Sequence, residues 1–136
     1  TRRSSDLGAM LCFAGLQVVT ITQSQSPYWT LETGTMRDAP NIMQDLKDTL
    51  SDDVHLIFQH PSGESLLYYA QRYGVPEVYV LRKYRYLDEV MVVVNHEYGH
   101  TVESVFRHNA LRIEAYEEVQ PARHYPLATV HHFIRR

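Results

Sequence analysis

The chain has 136 residues, of which 44% are hydrophobic and 21% charged, and its formal net charge is -3. That length suits a single domain, residues 1–136, that buries roughly two thirds of its unfolded surface, and the composition indicates neither a disordered tail nor a low-complexity segment. With no clustered positive charge to attract it, nucleic acid is a disfavoured partner, and so is an anionic membrane.

At the start, Thr1-Arg2-Arg3 precedes an apolar run from Leu7 to Val19. This has the outline of a secretory leader, but Asp6 interrupts it and no small-x-small cleavage site follows, so a retained element is expected. Cys12, the single cysteine, reads as a small core residue. It leaves no internal disulfide, and such usage fits a reducing, intracellular compartment. No run reaches the roughly 18 uninterrupted apolar residues of a spanning helix, so a soluble chain with no membrane span is expected.

Residues 16–21 alternate with β-branched content, as a strand buried on both faces does. Ser24, Ser26, Pro27 and Gly34 give residues 23–39 loop chemistry. Pro40 suits the first turn of a helix running to about Leu50, with Ile42, Leu46 and Leu50 as its buried stripe and Asp45, Lys47 and Asp48 facing water. Residues 54–59 form a short apolar run after the acidic turn Ser51-Asp52-Asp53, and Pro61-Ser62-Gly63 closes it and opens a second helix with Ser62 as cap. Leu66, Tyr69, Ala70 and Tyr73 share the inner face of that helix, and Gly74 supplies a left-handed position after it, before Val75-Pro76. Residues 77–87 resume strand chemistry, which completes a strand-helix-strand crossover over residues 54–87. Within them, Arg82-Lys83-Tyr84-Arg85-Tyr86 interleaves basic and aromatic side chains as a single-strand binding face does. Strand alternation splits that charge between two faces, which is the pattern of a solvated edge.

From Val90 onward two periodicities coexist. As strands, residues 90–94, 101–107 and 111–119 form an antiparallel meander, and residues 127–134 add a last strand. As a helix, Leu87, Met91, Val94, Tyr98, Val102 and Val105 share one face. Five successive strand formers at Val90 to Val94 favour the sheet. The expected fold is therefore α+β, a mixed sheet with one or two strand-helix units over about residues 16–87 followed by an antiparallel meander over about residues 77–134.

His96-Glu97-Tyr98-Gly99-His100 matches H-E-x-x-H. On a helix, positions i and i+4 share a face, so both imidazoles can hold one zinc ion while the glutamate reaches the metal-bound water as general base. With the uncharged flanks Val93-Val94-Asn95 and Thr101-Val102, this segment resembles the zincin metallopeptidases over about ten residues. The resemblance implies His96 and His100 as zinc ligands and Glu97 as base. Six residues beyond His100 the chain has Phe106 rather than a histidine, and His108 lies an axial rise of roughly 12 Å past His100 on a continuing helix. The third ligand is then Glu114, Glu117 or Glu118. Against this, Asn95 and Gly99 are residues that turns favour, and they follow a strand pattern, so the local reading is a turn between strands.

The other candidates have plainer explanations. His131 and His132 point to opposite faces of a strand and cannot chelate one ion together. Ser62 and Ser65 lack the G-x-S-x-G elbow, and capping accounts for Ser62. Gly63 beside a helix start is a single glycine, far short of a phosphate loop. The ten tyrosines are the compositional excess, and such rings suit partner interfaces. Two expectations follow. One is a non-catalytic protein-interaction domain or assembly subunit with a protein partner and no cofactor; the alternative is a minimal zinc-dependent metallopeptidase.

Overall fold

In the computed structural model, which describes residues 36–80 and 87–136, Pro40 sits in the first turn of helix α1 (Ala39–Leu46). Its fixed φ is already helical and its missing N–H has no partner to lose there. Ala39, Ile42, Met43 and Leu46 form the buried face of α1. The helix stops four residues short of Leu50, yet Leu50 stays buried and its N–H still bonds the Leu46 carbonyl at 3.0 Å. The strand expected over residues 16–21, Cys12 and the basic run from Arg82 to Tyr86 lie outside the described residues. Those described belong to the unit Gly34–Arg136.

Strand β1 (Val54–Ile57) leads to helix α2 (Gly63–Arg72). Gly74, with φ of 75°, ends α2 in the left-handed region as its position predicts. Its N–H bonds Gln71 O at 3.2 Å and the Val75 N–H bonds Ala70 O at 2.8 Å, a complete Schellman closure of the last turn. Of the strand expected over residues 77–87, residues 81–86 lie outside the described residues, and the described part differs from the expectation. Glu77–Tyr79 is a 3-10 turn, and the parallel partner is β2 (Glu89–Asn95), aligned from Val54 opposite Glu89 to Ile57 opposite Val92. A strand between two neighbours, covered on both faces, needs apolar residues at every position, and Val90 to Val94 provide them where residues 77–80 do not.

A second correction concerns residues 101–107, which form helix α3 (Val102–His108) rather than a meander strand. Thr101 and Ser104 cap its start reciprocally, with Ser104 N–H to Thr101 Oγ1 at 3.2 Å and Thr101 N–H to Ser104 Oγ at 3.0 Å. Val102, Val105 and Phe106 then follow helical spacing, and the last two are buried. The strand expected over 111–119 begins later, because Ile113–Ala115 is a 3-10 turn, and β3 runs Tyr116–His124. The last strand, β4 (Ala128–Arg135), lies within a residue of its expected limits.

The sheet order is β1-β2-β4-β3, with β1 and β2 parallel and the other neighbours antiparallel, an α+β fold. Alternation along β2 feeds two cores. Met91 and Val93 pack with Leu56, Val130 and the buried faces of α1 and α2. Val90, Val92 and Val94 pack on the opposite face with Ile57, Phe133 and the α3 residues Val105 and Phe106. Phe106 meets Tyr116 and Phe133 edge-on, at ring separations of 5.3 and 5.2 Å. No described helix is long and apolar enough to cross a membrane.

Candidate functional site

At their carboxyl ends the two parallel strands diverge. The chain leaving β1 enters α2 on one face of the sheet, and the chain leaving β2 enters α3 on the other, as their separate cores show. Two adjacent parallel strands whose following helices take opposite faces open a crevice between their loops, the place where open α/β sheets bind ligands. Residues 58–62 form one wall and residues 95–101 the other.

Asn95, the last residue of β2, organises this end of the sheet. It is fully buried. Its Nδ2 donates to Ser62 Oγ at 3.2 Å, its Oδ1 accepts the Glu97 N–H at 3.1 Å, and its carbonyl accepts the His100 N–H at 3.2 Å. One side chain thus joins both walls and sets the turn that follows. Ser62 does stand at the N-cap of α2, but its hydroxyl makes no capping bond and serves Asn95 instead. Capping therefore does not account for Ser62, and the first turn of α2 has no side-chain cap. Gly63 is held to glycine by proximity, since a Cβ there would stand 2.5 Å from the Phe58 ring. Further ties hold the walls together: Ser104 Oγ donates to Gln59 Oε1 at 2.8 Å, and Asn109 Nδ2 to the Phe58 carbonyl at 2.8 Å.

The H-E-x-x-H segment is strung along this rim. His96–Tyr98 is a 3-10 turn, Gly99 has φ of 64°, and His100 precedes the α3 cap. The single helical face that would align His96 with His100 is not formed. His96 is exposed and Glu97 half-buried, whereas His100 is buried with Tyr98 stacked beside it at 5.9 Å. Burial pulls the His100 pKa below the ordinary histidine value; nearby His108 acts the same way, and the His60 carbonyl partly opposes both. His100 Nδ1 is buried without a hydrogen-bond partner.

The candidate third ligands are elsewhere. Glu117 pairs with Ile134, which pairs with Glu89 at the amino end of β2, so Glu117 and Glu118 lie toward the opposite end of the sheet. Glu114 precedes them in the turn Ile113–Ala115. Among the described residues no group of three or more His, Cys, Asp or Glu side chains is placed to hold a metal ion. His131 and His132 do face opposite sides of β4, each against its own carboxylate: His131 with Glu118 and His132 with Glu89. Of the described tyrosines, Tyr68 is exposed, while Tyr69, Tyr73, Tyr79 and Tyr125 pack against the first core.

Asn95, Gln59 and His60, in the loops at this end of the sheet, belong to no motif in the sequence. The available signal was a polar residue ending a fully apolar strand, a pattern that places its side chain where two loops separate. Compared with known proteins, the chain matches no family, no curated protein and no solved structure.

Proposed function

We propose that this chain is a ligand-binding domain that holds a small polar molecule in the crevice at the carboxyl ends of β1 and β2. The observation that carries the reading is the divergence of α2 and α3 to opposite faces from adjacent parallel strands. The chemistry of the walls supports it. They present the Gln59 amide, the imidazoles of His60, His96 and His100, the Glu97 carboxylate and the uncapped start of α2, with Asn95 buried behind them as the tie between the loops. Screening a panel of small carboxylates, phosphates, sugars and amino acids for a raised melting temperature tests it. A hit should lose its effect in the His100→Ala variant once that variant is shown to fold. A hit that persists there and in His96→Ala would place binding elsewhere. Zinc belongs in the same screen, because stoichiometric zinc lost in His96→Ala is the result that favours the metallopeptidase alternative.

The protein-interaction reading has its own supporting observation. Of the nine residues of β3 only Tyr116 is buried, so most of that strand contributes little to the fold's own core. A partner docked there would slow amide exchange along β3 and leave the crevice loops unchanged.

A further inference from the structure

One cluster of reactive side chains lies away from the crevice, on the face of the sheet that carries the second core. Glu118 Oε1 stands 2.7 Å from His131 Nδ1, and His131 Nε2 stands 3.1 Å from Thr129 Oγ1. The order is carboxylate, imidazole, hydroxyl. An ionised carboxylate only accepts, so the proton of a neutral ring belongs on Nδ1. The Nε2 lone pair then faces the threonine hydroxyl, which must donate. This is the arrangement in which an oriented imidazole removes a proton from a nucleophilic hydroxyl.

Local backbone supports the same reading. Thr129 and His131 are two apart on β4 and share a face, and β3 is out of regular register between Glu118 and Gln120 and again between Gln120 and Arg123. Bulges re-aim side chains and take residues out of the ladder. Here they free Val119, Pro121 and Ala122, which together with Glu118, Gln120 and His131 line an open depression of about 550 Å³.

We propose that Glu118, His131 and Thr129 form an acyl-transfer centre that hydrolyses small esters bound in this depression. His131 takes the Thr129 hydroxyl proton on Nε2 as Oγ1 bonds the ester carbonyl carbon and the carbonyl electron pair moves to oxygen. Collapse of that adduct breaks the bond to the leaving alkoxide, which recovers the proton from His131. Water, activated by the same imidazole, then cleaves the acyl-threonine to release the acid and restore the hydroxyl. Glu118 holds the Nδ1 tautomer and balances the imidazolium charge. Thr129 is 8% exposed, so the acyl carbon enters along the His131 side and the acyl group is short. This centre does not depend on the crevice reading.

The test uses the whole chain with p-nitrophenyl acetate, following p-nitrophenol release and mapping the acetyl group by mass spectrometry. Acetylation of Thr129 is expected. His131→Gln should reduce it about 100-fold or more, within the span typical of a lost general base. His124→Gln, an exposed histidine outside the cluster, controls for catalysis by any imidazole and should change nothing. Thr129→Val, checked for folding, should abolish turnover beyond that background. Acetyl found on histidines or lysines with Thr129 unmodified would overturn the proposal. So would equal Thr129 acetylation in parent and His131→Gln, which decides the matter even if Thr129→Val does not fold.

Discussion

The two halves of the one sheet are built to different ends. In the β1–β2 half every residue of β1, and all but Glu89 of β2, is buried, with helices on both faces. In the outer half β3 keeps only Tyr116 buried, carries Pro121 and two register shifts, and presents charge to water. Pro, bulges and charges are devices that keep an edge strand from pairing with another chain. The difference teaches that the inner half owes its burial to helices packed on both of its faces. The outer half is free to carry surface chemistry.

The largest effect should come from breaking the inner half. Phe106→Ala removes a fully buried ring that touches two other aromatic rings, and a loss of about 3–5 kcal/mol in urea unfolding is expected. Val119→Ala on β3, by contrast, should stay within about 0.5 kcal/mol. Equal effects would remove the distinction between the halves.

Asn95→Ala comes next, with a loss of about 1–3 kcal/mol. It strands the Ser62 hydroxyl and the Glu97 N–H that Asn95 now satisfies. Amide exchange should quicken in residues 58–62 and 95–101 together, because one side chain holds both loops. Loosening confined to 95–101 would show that the loops are independent.

Acidification should sharpen the comparison further. His55 and His100 have pKa values lowered chiefly by burial, with Asp52 and Asp53 partly opposing at His55. A lowered folded-state value means the unfolded chain binds more protons between that value and 6.5, the ordinary one. Stability is therefore full above 6.5 and falls as pH drops toward the folded values. The slope is about 1.4 kcal/mol per pH unit for each unmatched proton. Denaturant unfolding at a series of pH values should show this slope, reduced in His100→Gln. An unchanged slope in that variant would assign the acid sensitivity elsewhere.

The smallest effects separate two helix ends of the same design. α2 closes on Gly74, while α3 closes on Ala110 with φ of 51°, through Leu111 N–H to Phe106 O and Ala110 N–H to Arg107 O, both at 3.0 Å. Only the first has the residue that the left-handed position favours. Gly74→Ala should cost about 1 kcal/mol and Ala110→Gly should stabilise by a few tenths, with melting temperatures moving in opposite directions.

Much of the inner architecture was legible in the sequence, and the reasons are local. Pro40, the Gly74-Val75-Pro76 stop and the five strand formers of β2 each act through their own backbone preferences. The α3 region was not legible as a helix, because Val102, Val105 and Phe106 satisfy helical spacing while the flanking segments read as strands, and Thr101 and Ser104 settle the choice only through reciprocal capping. The start of the expected return strand is instead a 3-10 turn at Glu77–Tyr79, and the parallel partner described for β1 is β2, whose run Val90 to Val94 suits burial on two faces. For the candidate site, the H-E-x-x-H spacing points to the loop after β2 for a helical reason that the fold does not use. Asn95 and Ser62 are 33 residues apart, and no sequence period connects them.

The most direct test of the crevice is a backbone amide ¹H–¹⁵N spectrum of the whole chain, recorded with and without the molecule that most raises its melting temperature. Shifts concentrated in residues 58–65 and 95–101, with β3 unmoved, are the predicted result. Shifts confined to β3 and β4, with the crevice loops unchanged, would contradict the account.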